Sequence, residues 1–118
     1  MICVDSSVWI DYFNGHSSWQ TDLLNELLSR IPVIMGDLIL AEVLQGFRSD
    51  VDFETAKFHL NQLPFRQMGG YRIALQSAQN YRILRKKGVT VRKTMDVIIG
   101  TFCITEGLVT TIGARVGG

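Results

Sequence analysis

Several features that would place a chain of 118 residues in a special structural class are scarce in this sequence. Its two cysteines, Cys3 and Cys103, lie in separate apolar runs, so a disulfide framework and a cysteine zinc site are excluded. Both are predicted to be buried thiols of a reducing compartment. The longest uncharged runs, such as 97–105, have about half the length of a membrane span. The start of the chain, 1–5, lacks the basic region of a signal peptide. We therefore expect a soluble cytoplasmic protein.

Two kinds of functional motif are also missing. The glycine pair Gly69 and Gly70 does not match a phosphate-binding loop. The two histidines, His16 and His59, lack metal-ligand spacing. What remains is a globular composition, with 47% hydrophobic and 19% charged residues. A chain of this length and composition predicts one domain spanning residues 1–118.

Charge is distributed unevenly along the chain. Residues 1–54 contain nine acids and two bases, a net charge of −7, and residues 55–118 contain ten bases and two acids, a net charge of +8. Such asymmetry favours a surface that binds nucleic acid or a partner. A fold that interleaves the two halves would instead cancel the field.

Apolar periodicity predicts an α/β domain with a parallel sheet. Short continuous apolar runs predict buried strands at 2–4, 32–35, 63–68 and 108–112. Helical spacing predicts intervening helices, of which three are expected to have Asp37, Asp52 and Thr94 as N-caps. Alternating strands and helices are typical of parallel sheets, whose ligand sites lie beyond the carboxyl ends of the strands.

Three acids are candidates for chemistry because of their apolar surroundings. Asp5 ends the first strand, Glu42 is the only charge in an apolar helix segment, and Asp96 opens the most apolar helix. Burying such acids is costly unless they are paired or bind metal. If they converge, a divalent cation would relieve their repulsion, and Mg²⁺ or Mn²⁺ suits oxygen ligands.

Each acid also has a purely structural interpretation. Asp5 would cap the helix that begins at Ser6, and Asp96 would complement the dipole of its own helix. Glu42 is harder to explain in this way, since the surrounding pattern offers little polar face.

The segment 82–93 contains six of the twelve bases and directly precedes Asp96. It would attract a polyanion towards the acids. The alternative is a solvated helix end whose cations complement the dipole. The candidate RNA-binding residues are Arg85, Lys86, Lys87, Arg92 and Lys93.

Three motifs together resemble the PIN-domain toxins of the VapC type. The opening 4–13 (VDSSVWIDYF), the segment 41–46 (AEVLQG) and the segment 92–99 (RKTMDVII) appear in the order of that family. The resemblance implies a three-layer α/β/α fold around a parallel sheet of four to five strands. It also implies a homodimer that cleaves RNA with the help of a metal ion and is neutralised by a VapB-type antitoxin.

The resemblance assigns roles to individual residues. Asp5, Glu42 and Asp96 match the acidic metal site, and Ser6 or Ser7 and Thr94 match neighbouring hydroxyl positions. One departure concerns the end of the sequence, where Ala114 and Val116 stand in place of the expected acids. We therefore expect the fourth acid to be absent and the last strand to be poorly supported. The alternative function is a catalytically impaired module that mainly binds its antitoxin.

Overall fold

A parallel sheet organises the computed structural model, which describes residues 2–90 and 93–108. Within these ranges the strands are β1 (Ile2–Cys3), β2 (Val33–Gly36) and β3 (Phe65–Arg66), in the spatial order β1-β2-β3. Ile2 pairs with Val33, and Met35 pairs with Phe65. Every residue of β2 is buried, as expected for a central strand that is covered on both faces.

Helices surround this sheet and confirm the predicted α/β class. They are α1 (Ser6–Phe13), α2 (Trp19–Leu27), α3 (Asp37–Leu44), α4 (Asp50–Leu60), α5 (Tyr71–Lys86) and α6 (Thr94–Thr105). In the described ranges no helix combines the length and apolar character needed to cross a membrane. Of the predicted strand at 108–112, Leu108 is not in a strand and 109–112 lie outside the described residues. The described part therefore has three of the four to five predicted strands.

The apolar runs that predicted strands and helices form one buried core. Side chains of β1 and β2 meet those of α1, α2, α3 and α6 there. Its fully buried members include Cys3, Val4, Leu24, Ile34, Met35, Ile39 and Phe102. Burial of such side chains is worth about 1.5–3 kcal/mol each. The elements that carry or precede Asp5, Glu42 and Asp96 thus pack on one common core.

The N-caps predicted at Asp37, Asp52 and Thr94 are wrong by one to three residues. Gly36, Ser49 and Lys93 are the N-caps of α3, α4 and α6. The Ser49 side chain accepts a hydrogen bond from the backbone N of Asp52, so Asp52 is the residue being capped. The Asp37 carboxylate makes other contacts. Its Oδ1 accepts hydrogen bonds from the backbone N of Met68 at 2.8 Å and of Leu38 at 2.9 Å. Sequence alone does not reveal that Met68 comes so close.

The junction between β2 and α3 requires glycine at position 36. A Cβ there would collide with Sδ and Cγ of Met68, a side chain that is fully buried. We expect Gly36→Ala to lower the free energy of unfolding by about 1–3 kcal/mol, because Met68 must repack. Urea denaturation measures the change. Gly46→Ala is the control, since a Cβ at Gly46 makes only an ordinary contact at 3.7 Å. Equal stability of the two variants would contradict this account of the junction.

Helix α5 is unusual in its exposure. Of its 16 residues only Ser77 is buried in the described structure. Its extensive contact is with α6, against which it packs after the connection through Gly88. Tyr71 and Leu75 are exposed on it by 83% and 49%. The α5–α6 pair therefore forms a surface that the sheet does not cover.

Candidate active site

Asp5 lies where β1 ends and α1 begins. Its side chain is 1% exposed and accepts hydrogen bonds from the backbone N of Ser7 at 3.2 Å and from the Ser7 hydroxyl. The residue is thus the N-cap of α1, which confirms the structural interpretation of Asp5. Capping does not exclude chemistry, because a carboxylate has about four lone-pair sites.

Ser6 links the end of β1 to helix α3. Its hydroxyl donates a hydrogen bond to Oε1 of Glu42 at 2.9 Å, across 36 residues of sequence. Ser6 is buried and Glu42 is half-buried, so water competes little for this contact. The contact brings the carboxylate of Glu42 next to the residue that follows Asp5. Glu42 thus lies beside the end of β1, where Asp5 caps α1.

A thiol pair holds β1 against α6, the helix that carries Asp96. Cys3 and Cys103 are both buried and free, as predicted. The pKa of Cys3 is raised well above its usual range, first by its hydrogen bond with Cys103 and then by burial. The nearby charge of Asp5 raises the Cys3 pKa further. Cys3 thus remains a neutral thiol beside the acid, in contact with Cys103 of α6.

Asp96 lies in the first turn of α6 and is 8% exposed. Its backbone N donates to the carbonyl of Lys93 at 3.2 Å, and its side chain lines the groove between α5 and α6. The helix dipole stabilises a negative charge at this position by roughly 0.3–1 kcal/mol. Asp96 therefore has a structural explanation and is also accessible from a groove.

The candidate ligands suit a hard cation in their chemistry, and the number of carboxylates that gather decides how the cation would be held. All candidate ligands are carboxylate or hydroxyl oxygens, which Mg²⁺ and Mn²⁺ prefer. Among residues 2–90 and 93–108, no three His, Cys, Asp or Glu side chains gather around a common point that would hold an ion. The arrangement fits a cation held by one or two carboxylates and completed by water, as is usual for Mg²⁺.

The other candidates are exposed. Thr94 is the first residue of α6 and is not its N-cap. Arg85 and Lys86 lie in the last turn of α5, and Lys87 and Lys93 flank the connection between the helices. Arg92 lies outside the described residues, as do Ala114 and Val116. The described bases thus form a positive edge beside the amino end of α6.

Sequence reasoning missed the side chains that line the α5–α6 groove. Gln76 and Asn80 of α5 and Gly100 and Thr101 of α6 line it together with Asp96. Gln76 and Asn80 are four residues apart, so the sequence places them on one face of a helix. Nothing in the sequence indicates which helix this face contacts.

Comparison with known proteins identifies the family. No protein-family model matches the chain. The VapC ribonuclease Mb1587 of Mycobacterium bovis is 30% identical over 109 residues, covering 91% of this chain and 81% of that protein. Ribonuclease VapC11 of Mycobacterium tuberculosis matches to the same extent. The chain belongs to the VapC ribonuclease family. The resemblance carried by the three acidic motifs is thereby confirmed.

A solved structure supports the VapC fold independently. VapBC2 from Rickettsia felis, in a crystal structure bound to a DNA fragment from their promoter, matches with a TM-score of 0.76. The match covers 97% of this chain and 88% of that chain at 16% identity. At this identity the likeness shows a shared fold alone. It confirms the predicted PIN-like α/β architecture of this VapC-family chain.

Proposed function

We propose that this chain is a metal-dependent endoribonuclease toxin of a VapBC-type pair. The observation that carries the proposal is the Ser6–Glu42 hydrogen bond next to Asp5, in a chain of the VapC ribonuclease family. It places Glu42 beside the residue that follows Asp5, at the carboxyl end of β1, the edge of a parallel sheet where ligand sites form. The helix that carries Asp96 contacts the same strand through Cys103 and Cys3.

The residues would divide the work by position. One or two of the carboxylates of Asp5, Glu42 and Asp96 would hold the cation, and water would complete its coordination. Ser6 and Ser7 would orient Glu42 and Asp5, and Thr94 precedes Asp96 by two residues. When bound, Mg²⁺ or Mn²⁺ supplies a nucleophilic water at neutral pH and stabilises in-line displacement at phosphorus. The reaction is hydrolysis, in which water attacks the phosphodiester, the bond to one ribose oxygen breaks, and that oxygen leaves with a proton.

The basic edge would bind the RNA backbone. Arg85, Lys86, Lys87 and Lys93 are exposed, so their cations can neutralise phosphates and release counterions. Arg92 is proposed to join them on the basis of sequence. Because Asp96 follows this edge by only three residues, a strand held there would pass the amino end of α6.

The test is cleavage of structured RNA by the purified chain, freed of any antitoxin. We expect cleavage with Mg²⁺ or Mn²⁺ and none after chelation, because the candidate ligands are carboxylates and the nearby Cys3 stays a neutral thiol. The matched control restores activity by adding Mg²⁺ in excess of the chelator. Undiminished cleavage in chelator would contradict metal dependence.

A catalytically impaired module is the second candidate, favoured by the absence of a three-acid cluster among the described residues. Ala114→Asp separates the two functions. Faster cleavage by this variant than by the parent would indicate a weak enzyme that lacks its fourth acid. If neither protein cleaves RNA while both bind the antitoxin, the impaired module is correct.

The antitoxin is proposed to cover exposed apolar side chains of the acidic half. Trp19 on α2 is exposed by 67%, and Val51 and Phe58 on α4 by 74% and 65%. Exposed apolar surface bordered by Asp50 and Glu54 suits a partner with apolar and basic side chains, and an Arg would pair with the site carboxylates. We expect Phe58→Ser to weaken binding of a VapB-type antitoxin about tenfold in calorimetry, because one apolar anchor is lost.

The exposed Ile104→Ser variant is the control for Phe58→Ser, since it changes an apolar residue on a different face. Equal weakening by both would contradict the assignment of this surface. Homodimerisation and a cytoplasmic location stay predictions of the family resemblance, and sedimentation of the purified chain tests the dimer.

A further inference from the structure

The groove between α5 and α6 is large enough to hold part of a ligand. Its volume is about 490 Å³, and it extends along α6 from Asp96 to Thr105. Nine residues of helix correspond to about 14 Å. Apolar side chains, among them Leu84 and Ile104, form most of its walls. One end thus begins at a candidate catalytic acid, and the remainder of the groove has no assigned role.

Amide and hydroxyl groups form a hydrogen-bonded row inside this groove. Nε2 of Gln76 donates to Oδ1 of Asn80 at 3.0 Å, and Nδ2 of Asn80 donates to Oγ1 of Thr101 at 3.0 Å. Each amide has donors and acceptors beyond those used in the row. Apolar walls with a few amides are the surroundings in which flat, polar-edged rings bind.

A smaller cavity continues the groove at its far end. Its volume is about 160 Å³, and Gln76 and Thr105 line both cavities. Arg72 lines the far side of the smaller one. The two cavities therefore form a continuous surface that begins near the side chains of Lys86 and Lys93 and ends at Arg72.

The charge of α5 determines which class of ligand fits. The helix contains Arg72, Arg82, Arg85 and Lys86 and no acid. In the ranges 2–90 and 93–108, none of these four bases takes part in a salt bridge. Arg85 lies over the ring of Tyr81, at 5.8 Å from its centroid, and is presented at the surface. Apolar walls flanked by unneutralised cations complement a chain of bases and phosphates.

We propose that the α5–α6 groove binds unpaired nucleobases of single-stranded RNA beside the bond to be cut. The nucleobases lie between the apolar walls, and Gln76 and Asn80 contact their edges. The Arg and Lys side chains of α5 contact the phosphates. At 3.4 Å per stacked nucleotide, about four would span the groove. The proposal rests on the proposed ribonuclease function and adds to it a determinant of sequence preference.

Gly100 allows the groove to be filled without disturbing the fold. It lines the groove, and a Cβ at this position would meet no atom within 4 Å. Because glycine disfavours a helix interior by about 1 kcal/mol relative to alanine, Gly100→Leu should not lower the melting temperature. Its side chain would occupy the space proposed for a base. Gly100→Ala and Gly46→Leu are the controls for residue size and for position.

The experiment measures binding and cleavage separately. Fluorescein-labelled single-stranded RNA of mixed sequence is titrated with each variant in an Asp5→Asn background, in which the RNA is not consumed. We expect Gly100→Leu to weaken binding about tenfold or more, since loss of one stacked base is worth about 1–3 kcal/mol. With Asp5 intact, sequencing of cleavage products should show an altered preference in Gln76→Ala and none in the exposed control Gln62→Ala.

Each outcome distinguishes this proposal from the proposed function. Unchanged binding by Gly100→Leu, with unchanged cleavage, overturns the groove and leaves the ribonuclease intact. A variant that keeps RNA binding but loses association with an antitoxin or a second copy also overturns it, in favour of a protein occupant. If the parent cleaves no RNA, the proposed function fails, and the binding titration still decides whether the groove binds bases.

Discussion

Replacing Asp96 by Asn is expected to slow RNA cleavage about a hundredfold or more and to leave the protein folded. The substitution removes the negative charge and keeps the shape of a side chain that is 8% exposed in the first turn of α6. Loss of the favourable dipole interaction costs only about 0.3–1 kcal/mol. Cleavage rates at fixed Mg²⁺, together with thermal unfolding, measure the two effects separately.

Asp22→Asn is the matched control for Asp96→Asn. Asp22 also lies in the first turn of a helix, α2, and it is exposed to solvent and does not line the groove. Both variants should lose a similar small amount of stability, and only Asp96→Asn should lose activity. A normal cleavage rate in Asp96→Asn would show that Asp96 has only a structural role, at the amino end of α6.

Ser6→Ala should slow cleavage by about 10- to 100-fold, the usual effect of removing a residue that orients a metal ligand. The Ser6 hydroxyl donates to Glu42 at 2.9 Å, and this contact fixes α3 relative to the end of β1. Without the hydroxyl, the Glu42 carboxylate loses a buried donor and can adopt other rotamers. The measurement is kcat/KM with Mg²⁺, and its dependence on Mg²⁺ concentration should shift to higher values.

The neighbouring serine gives the comparison. In Ser7→Ala, Asp5 keeps the hydrogen bond from the backbone N of residue 7, which is 3.2 Å long in the parent. The loss should therefore be several times smaller than in Ser6→Ala, and the Mg²⁺ dependence should change little. Equal effects of the two substitutions would show that Ser6 has no special role in positioning Glu42.

Most helices and strands followed from local patterns, and one error arises where a distant residue intervenes. The predicted helices between the strands are present, because their apolar spacing and breakers such as Gly15 and Gly88 act within one segment. The N-cap at Asp37 failed since its carboxylate binds the backbone of Met68, 31 residues away. A local rule has no access to that contact.

The same distinction explains what was predictable in the candidate site. Asp5, Glu42 and Asp96 stood out because an acid in an apolar segment needs a local reason. The Ser6–Glu42 hydrogen bond and the packing of β1 on α6 depend on how segments assemble, so the sequence indicated only that they were compatible. The row of Gln76, Asn80 and Thr101 was not predictable, since amides and hydroxyls are common on exposed helices.

The exposure of α5 has a consequence for local unfolding of the protein. A helix with one buried residue, an N-cap glycine without a capping side chain and one extensively packed neighbour can open while the sheet stays closed. Its amide protons should therefore exchange with deuterium at a free energy well below that of global unfolding, unlike those of β2. Any ligand that binds only the ordered α5 would slow this exchange, so hydrogen exchange would locate the occupied face without knowledge of the ligand's identity.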